Sequence, residues 1–172
     1  SPRHRRTRRA VRASLRCQRM STPLLLLTGI EKDSMADTMM SLQWDVRRAV
    51  AVRHAIDVEA QVLTRVVSDI TGIIEHEEID LEHACVSCAL REDVIPTLER
   101  LADDGRWASV IVHLPVAADA TQVCRILSYD AQLGAKMHVA AVLAVVDGPS
   151  ARRDLLGEDL LCERGLETSE GD

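Results

Sequence analysis

Four largely apolar runs punctuate the chain: Thr22–Thr28 (TPLLLLT), Ala49–Ile56 (AVAVRHAI), Ser109–Leu114 (SVIVHL) and His138–Val146 (HVAAVLAVV). All four read as strands, and the first is continuous rather than alternating, the pattern of a strand buried on both faces. Gly29, Pro115 and Asp147-Gly148-Pro149 end three of them. The segments between show helical spacing. Asp33 or Ser34 is expected to cap a helix carrying Met35, Met39 and Leu42. Ala89–Asp103 places Leu90, Val94, Leu98 and Leu101 on one face, and Asp119–Ser128 turns Val123, Ile126 and Leu127 inward. Gln61–Val67 and Thr71–Ile79 read as weaker extended segments suited to a hairpin. Strong strands alternating with amphipathic helices predict an α/β fold, a mostly parallel sheet with helices on both faces. After Gly157 the chain turns acidic and loses its period. Glu167–Asp172 reads as an acidic loop, so the domain is expected to be incomplete at the C-terminus.

Composition narrows this picture. A chain of 172 residues, 47% hydrophobic and 28% charged, suits one ordinary domain with a core. Aromatic residues are 2% with no Phe, so the core must be aliphatic, and stacking platforms for single-stranded nucleic acid are lacking. No apolar run approaches the roughly 18 residues of a membrane helix. The net charge of −6 conceals two opposed parts. Residues 1–19 hold eight Arg and no acid, and the remainder has 13 basic against 27 acidic side chains, a formal −14. This basic tail, expected to be disordered, admits three readings: a transit peptide, a nucleic-acid contact, or upstream sequence translated ahead of Met20. The absence of an amphipathic period favours the last, leaving 20–172 as the folded domain. Five Cys, an odd number, and no secretory signal point to a reduced, cytoplasmic setting in which paired thiols do metal or redox chemistry.

The densest chemistry lies in Glu75–Cys88 (EHEEIDLEHACVSC), where nine of 14 residues can ligate a metal. Cys85 and Cys88 form a C-x-x-C pair, a spacing that lets two thiolates close on one tetrahedral zinc. They precede a helix whose N-terminal field favours thiolates. No second pair exists, so His83 and Glu82 are the nearest donors to complete a site. A redox role and two merely buried thiols are the competing readings. His113 ends a strand beside Pro115, a position where active residues of α/β proteins lie, but it reads more readily as a hydrogen-bonded core residue. Asp147 could equally cap the following turn. Cys124 falls on an apolar helix face, and Cys17 and Cys162 fall in segments expected to be loose. No G-x-S-x-G and no H-E-x-x-H occurs, so hydrolase and zincin readings lack support.

The order TPLLLLTG, HACVSCALREDVIPTL, SVIVHL, VAAVLAVVDG resembles the CobW-like (CobW/HypB/UreG type) family of metal-homeostasis GTPases over residues 22–150. The most specific stretch is Cys85–Pro96, where Cys85, Cys88, Arg91 and Asp93 stand at the spacing of that family's cysteine motif. The resemblance implies a P-loop NTPase-like fold, zinc bound through the cysteines, and GTP turnover coupled to delivery of metal to a client. In this sequence Ser87 replaces the motif's middle cysteine and Ala84 its preceding Gly.

The nucleotide motifs depart further. A phosphate loop needs G-x-x-x-x-G-K-[ST]; after Gly29 the last three positions hold Ser34, Met35 and Ala36, without the lysine charge or the magnesium-binding hydroxyl. Lys32 is out of register. His113 replaces the acid of the second nucleotide strand, Val116 the glycine that follows it, and Arg53-His54-Ala55-Ile56 the expected acids and glycine of the second strand. Only Gly29 persists as a degenerate nucleotide contact, and no catalytic residue is assigned. The expectation is therefore a zinc-binding, metallochaperone-type pseudo-GTPase. Its alternatives are a zinc-starvation adaptor acting by protein interaction, including at the ribosome, and a GTP-binding protein with an atypical loop. Expected partners are a metal-receiving client protein or the ribosome, with no membrane and no direct sequence-specific nucleic-acid contact.

Overall fold

The computed structural model describes residues 21–166. The readings of the basic tail, its Cys17 and the acidic end at 167–172 lie outside those residues. Six strands form one sheet: β1 (Thr22–Gly29), β2 (Ala49–Asp57), β3 (Val62–Asp69), β4 (Gly72–Asp80), β5 (Ser109–His113) and β6 (Met137–Val145), in the order β4-β3-β2-β5-β1-β6. The four apolar runs are the parallel strands β2, β5, β1 and β6, and the weaker pair is an antiparallel hairpin continuing from β2. Each parallel step crosses over through helix, as a parallel sheet requires.

The leucine run at the start makes sense as a strand walled on both sides. Leu24 and Leu26 join Val50, Val52, Val110 and Val112 in the larger core cluster, while Leu27 joins Ala49, Ala51 and Ile111 on the opposite face. All three leucines are fully buried. Burying each contributes roughly 1.5–3 kcal/mol, which suits an aromatic-poor core built from many aliphatic contacts.

Helix α1 (Lys32–Asp45) covers the second face through Met39. The first face is covered by α2 (Val86–Ala89), a π turn (Leu90–Val94), α3 (Ile95–Asp104), α4 (Ala120–Tyr129) and α5 (Ala131–Lys136). The expected Ala89–Asp103 helix is thus present but begins three residues earlier, and its π turn carries Asp93 inward. Asp119 caps α4 by accepting from the Thr121 N–H at 2.9 Å, and Gly105 ends α3 with φ 69°. That left-handed turn favours glycine.

Three expectations are corrected. The α1 cap is Glu31 rather than Asp33 or Ser34, because the longer Glu side chain reaches back to both of their amides. Two short helices, α5 and α6 (Ala151–Leu156), are additions that the sequence analysis did not predict; Asp130 creates the first by accepting from the Gln132 and Leu133 N–H groups. Cys162 starts a 3-10 turn (Cys162–Arg164) rather than a loose tail. That turn is tied down by Arg164, which bridges Asp154 and Asp159 at 2.6 Å each. Cys124, expected in the core, is half-buried and packs against it.

Candidate metal and nucleotide site

In this topology the carboxyl ends of β1, β2 and β5 meet at one edge, where open α/β sheets carry ligands. Between Gly29 and the first residue of α1 stand only Ile30 and Glu31. The Glu31 carboxylate accepts from the Ser34 N–H at 2.7 Å and the Asp33 N–H at 3.3 Å. Those backbone hydrogen bonds hold the Glu31 carboxyl below its ordinary range. Helix N-terminal amides are a ready anion site; here an acid of the same chain fills it.

Other groups close in on Gly29. A Cβ placed there would lie 2.8 Å from the Val145 carbonyl oxygen and 3.1 and 3.2 Å from Met35 Cγ and Sδ. Met35, at the position of the missing lysine, is fully buried. The loop after β5 is sewn to β1: Leu114 N–H donates to Leu27 O at 3.1 Å, Ala117 N–H to Gly29 O at 2.9 Å, and Thr28 Oγ1 to Ala118 O at 2.6 Å. Ala117 adopts φ 63° to make this approach. Gly29→Ala should cost about 1–3 kcal/mol, since the Val145 backbone must give way, and thermal melting of the variant checks it. Asp147 anchors the far side, accepting from Ser34 Oγ at 3.3 Å and from Ser150 N–H and Oγ at 3.2 and 2.8 Å. It therefore caps the next turn.

His113 is buried at the end of β5. Its Nδ1–H donates to the Leu114 carbonyl at 2.9 Å and its Nε2 has no partner. Burial pushes its pKa down, so the ring is neutral with Nε2 as an acceptor. The neighbouring His54 turns to the other face. Its Nε2 meets Asp93 Oδ2 at 2.8 Å, and Arg65 NH1 donates to Asp93 Oδ1. Burial would raise the Asp93 carboxyl, but the His54 hydrogen bond and charge, then Arg65, outweigh it and hold it below the usual range. Glu75 extends the chain of charges outward to Arg100, with both hydrogen bonds at 2.7 Å. Sequence reading noted Asp93 only for its spacing; its buried partners on β2 and β3 carried no local signal.

Cys85 caps α2, its Sγ accepting from the Cys88 N–H at 3.1 Å, and the two sulfurs are paired with Cα atoms 5.3 Å apart. The structure thus joins Cys85 and Cys88. It does not join the other two expected ligands to them: Glu82 and His83 lie exposed on the preceding turn. Among the described residues no group of three or more His, Cys, Asp or Glu side chains is arranged to hold a metal. Cys85 does border a cavity of about 650 Å³ over the ends of β2 and β5, shared with Lys32, Arg53, His54 and His113.

Comparison with known proteins agrees with this architecture. Three curated mycobacterial proteins are each 30% identical over 157 residues, covering 83% of this chain: an uncharacterized protein, Mb0109, of Mycobacterium bovis, another, MT0115, of Mycobacterium tuberculosis strain CDC 1551, and the zinc chaperone Rv0106 of strain H37Rv. The alignment covers 38% of the length of each relative, so the chain spans about two-fifths of the proteins it resembles. No solved structure matches it. Residues 32–169 match the family model CobW/HypB/UreG, nucleotide-binding domain, and the chain belongs to that family.

Proposed function

We propose that this chain is a zinc-handling, metallochaperone-type domain that binds the ion through Cys85 and Cys88 and passes it to a client protein. The observation that carries the reading is the cysteine pair at the start of a helix, with Cys85 bordering a cavity. The relative named a zinc chaperone supports zinc as the cargo. Thiolates suit a borderline-soft ion, whereas Mg²⁺ prefers oxygen and keeps its waters. With two thiolates, closure on the metal requires His83, with Glu82 or a water as fourth donor. Such an incompletely prebuilt site favours transfer over storage. Titrating the reduced chain with zinc should give a stoichiometry near one, and Cys85→Ser with Cys88→Ser should remove most of it while the circular dichroism is unchanged. Binding should weaken as pH falls, because thiols must ionise and His83 must be neutral. Equal zinc in wild type and double variant would refute the assignment.

We further propose that the nucleotide step is lost. The Glu31 carboxylate on the helix amides and the Met35 thioether beneath Gly29 stand against a bound phosphate. Phosphoryl transfer relies on positioned cations and metal, and the residues that supply them are replaced.

A further inference from the structure

The cavity that Cys85 borders has a charge pattern the zinc reading does not use. Lys32 is exposed and Arg53 half-buried on its wall, and neither forms an ion pair among the described residues. Glu59 is the one carboxylate on the lining. Cys88 is not part of that lining, so a molecule entering the cavity meets Cys85 before Cys88. The two cysteines already stand at disulfide spacing, 5.3 Å between Cα atoms with the sulfurs paired, and among the described residues no third His, Cys, Asp or Glu is grouped with them.

We propose that the Cys85–Cys88 pair is a thiol–disulfide exchange centre whose substrate is a small anionic disulfide docked against Arg53 and Lys32. The Cys85 thiolate attacks one sulfur of the disulfide RSSR; a Cys85–S–S–R bond forms and RS⁻ leaves. Cys88 then attacks Cys85 Sγ as its thiolate, closing the internal disulfide and releasing the second RS⁻. The two protons of the dithiol end on the two departing thiolates, so one RSSR is reduced to two RSH as the pair is oxidised. The same sulfurs serve the zinc reading, but the exchange does not rest on it, and the assay is run with a chelator so that failure of either leaves the other standing.

The test uses the full chain, reduced and then exposed at one pH and low salt to oxidised glutathione or to cystamine, an anionic and a cationic disulfide. Free thiols are trapped and peptides mapped by mass. In wild type the peptide holding Cys85 and Cys88 should become two hydrogens lighter, with two glutathione thiols released per chain. Cys88→Ser should stall as a mixed disulfide on Cys85, and Cys85→Ser should react far more slowly at Cys88. Oxidised glutathione should outpace cystamine by about tenfold, the scale of electrostatic focusing in a charged cleft. Arg53→Gln should narrow that ratio without changing zinc stoichiometry. A pair that stays reduced while Cys124 or Cys162 is oxidised would overturn the exchange centre, a result that needs no variant to fold. Equal trapping at Cys85 and Cys88 in the two single variants would overturn the assigned order. Equal rates with the two disulfides would overturn the docking.

Discussion

Asp93→Ala is expected to be the most destabilising single substitution away from the leucine strands. Asp93 is 8% exposed and sits between the fully buried His54 and the guanidinium of Arg65, with Thr97 nearby. Removing its carboxylate leaves a largely buried cation and an imidazole N–H without an acceptor. Breaking one side of a buried pair costs about 3–5 kcal/mol. In a domain of this size that lowers Tm by about 6–20 °C, read by calorimetry. Asp93→Asn, which keeps an acceptor oxygen but not the charge, should cost less. The acid limb adds a second reading. The folded carboxyl lies below its unfolded value near 3.9, so its contribution is present above that pH and is lost as pH falls through the folded value. Wild type should therefore lose stability below about pH 4 more steeply than Asp93→Ala. Parallel acid limbs would show that the network contributes little.

That network also marks where sequence reading stops. The parallel strands were legible because apolar residues on both faces leave a short apolar run, as in Leu24–Leu27, closed by a turn residue such as Gly29. The hairpin was legible as two weaker extended segments. The cap at Glu31 was not, because capping preference favours short side chains, and only the shortened turn after Gly29 lets a glutamate fold back on its own helix. Helix α5 depends on one Asp130 carboxylate and six residues, too little for a periodic pattern. The cysteine pair was readable from spacing alone, whereas its cavity required strand order: Arg53 and His113 share a register across β2 and β5, far apart in the chain. Local patterns give elements; long-range register gives sites.

Adding GTP with Mg²⁺ to the chain is expected to produce no rise in Tm and no phosphate release above background. A ligand present at 100 times its Kd stabilises by about 2.7 kcal/mol, a shift of several degrees, so a flat trace is informative. The expectation follows from occupancy as much as from missing chemistry. A phosphate approaching the α1 N-terminus would meet the Glu31 carboxylate already bonded to the amides of Asp33 and Ser34, and like charges would repel. Beneath it the thioether of Met35 fills the space against Gly29, and Ala36 offers magnesium no oxygen. Met35→Lys alone should therefore not restore binding, and it should destabilise the fold by placing an ammonium in a fully buried position. Removing the competing carboxylate by Glu31→Gly in the same chain should make the amides available to an anion, yet leave the Gly29 carbonyl tied to Ala117. A GTP-dependent rise in Tm in wild type, abolished by Gly29→Ala, would overturn the reading of a nucleotide site closed by its own side chains.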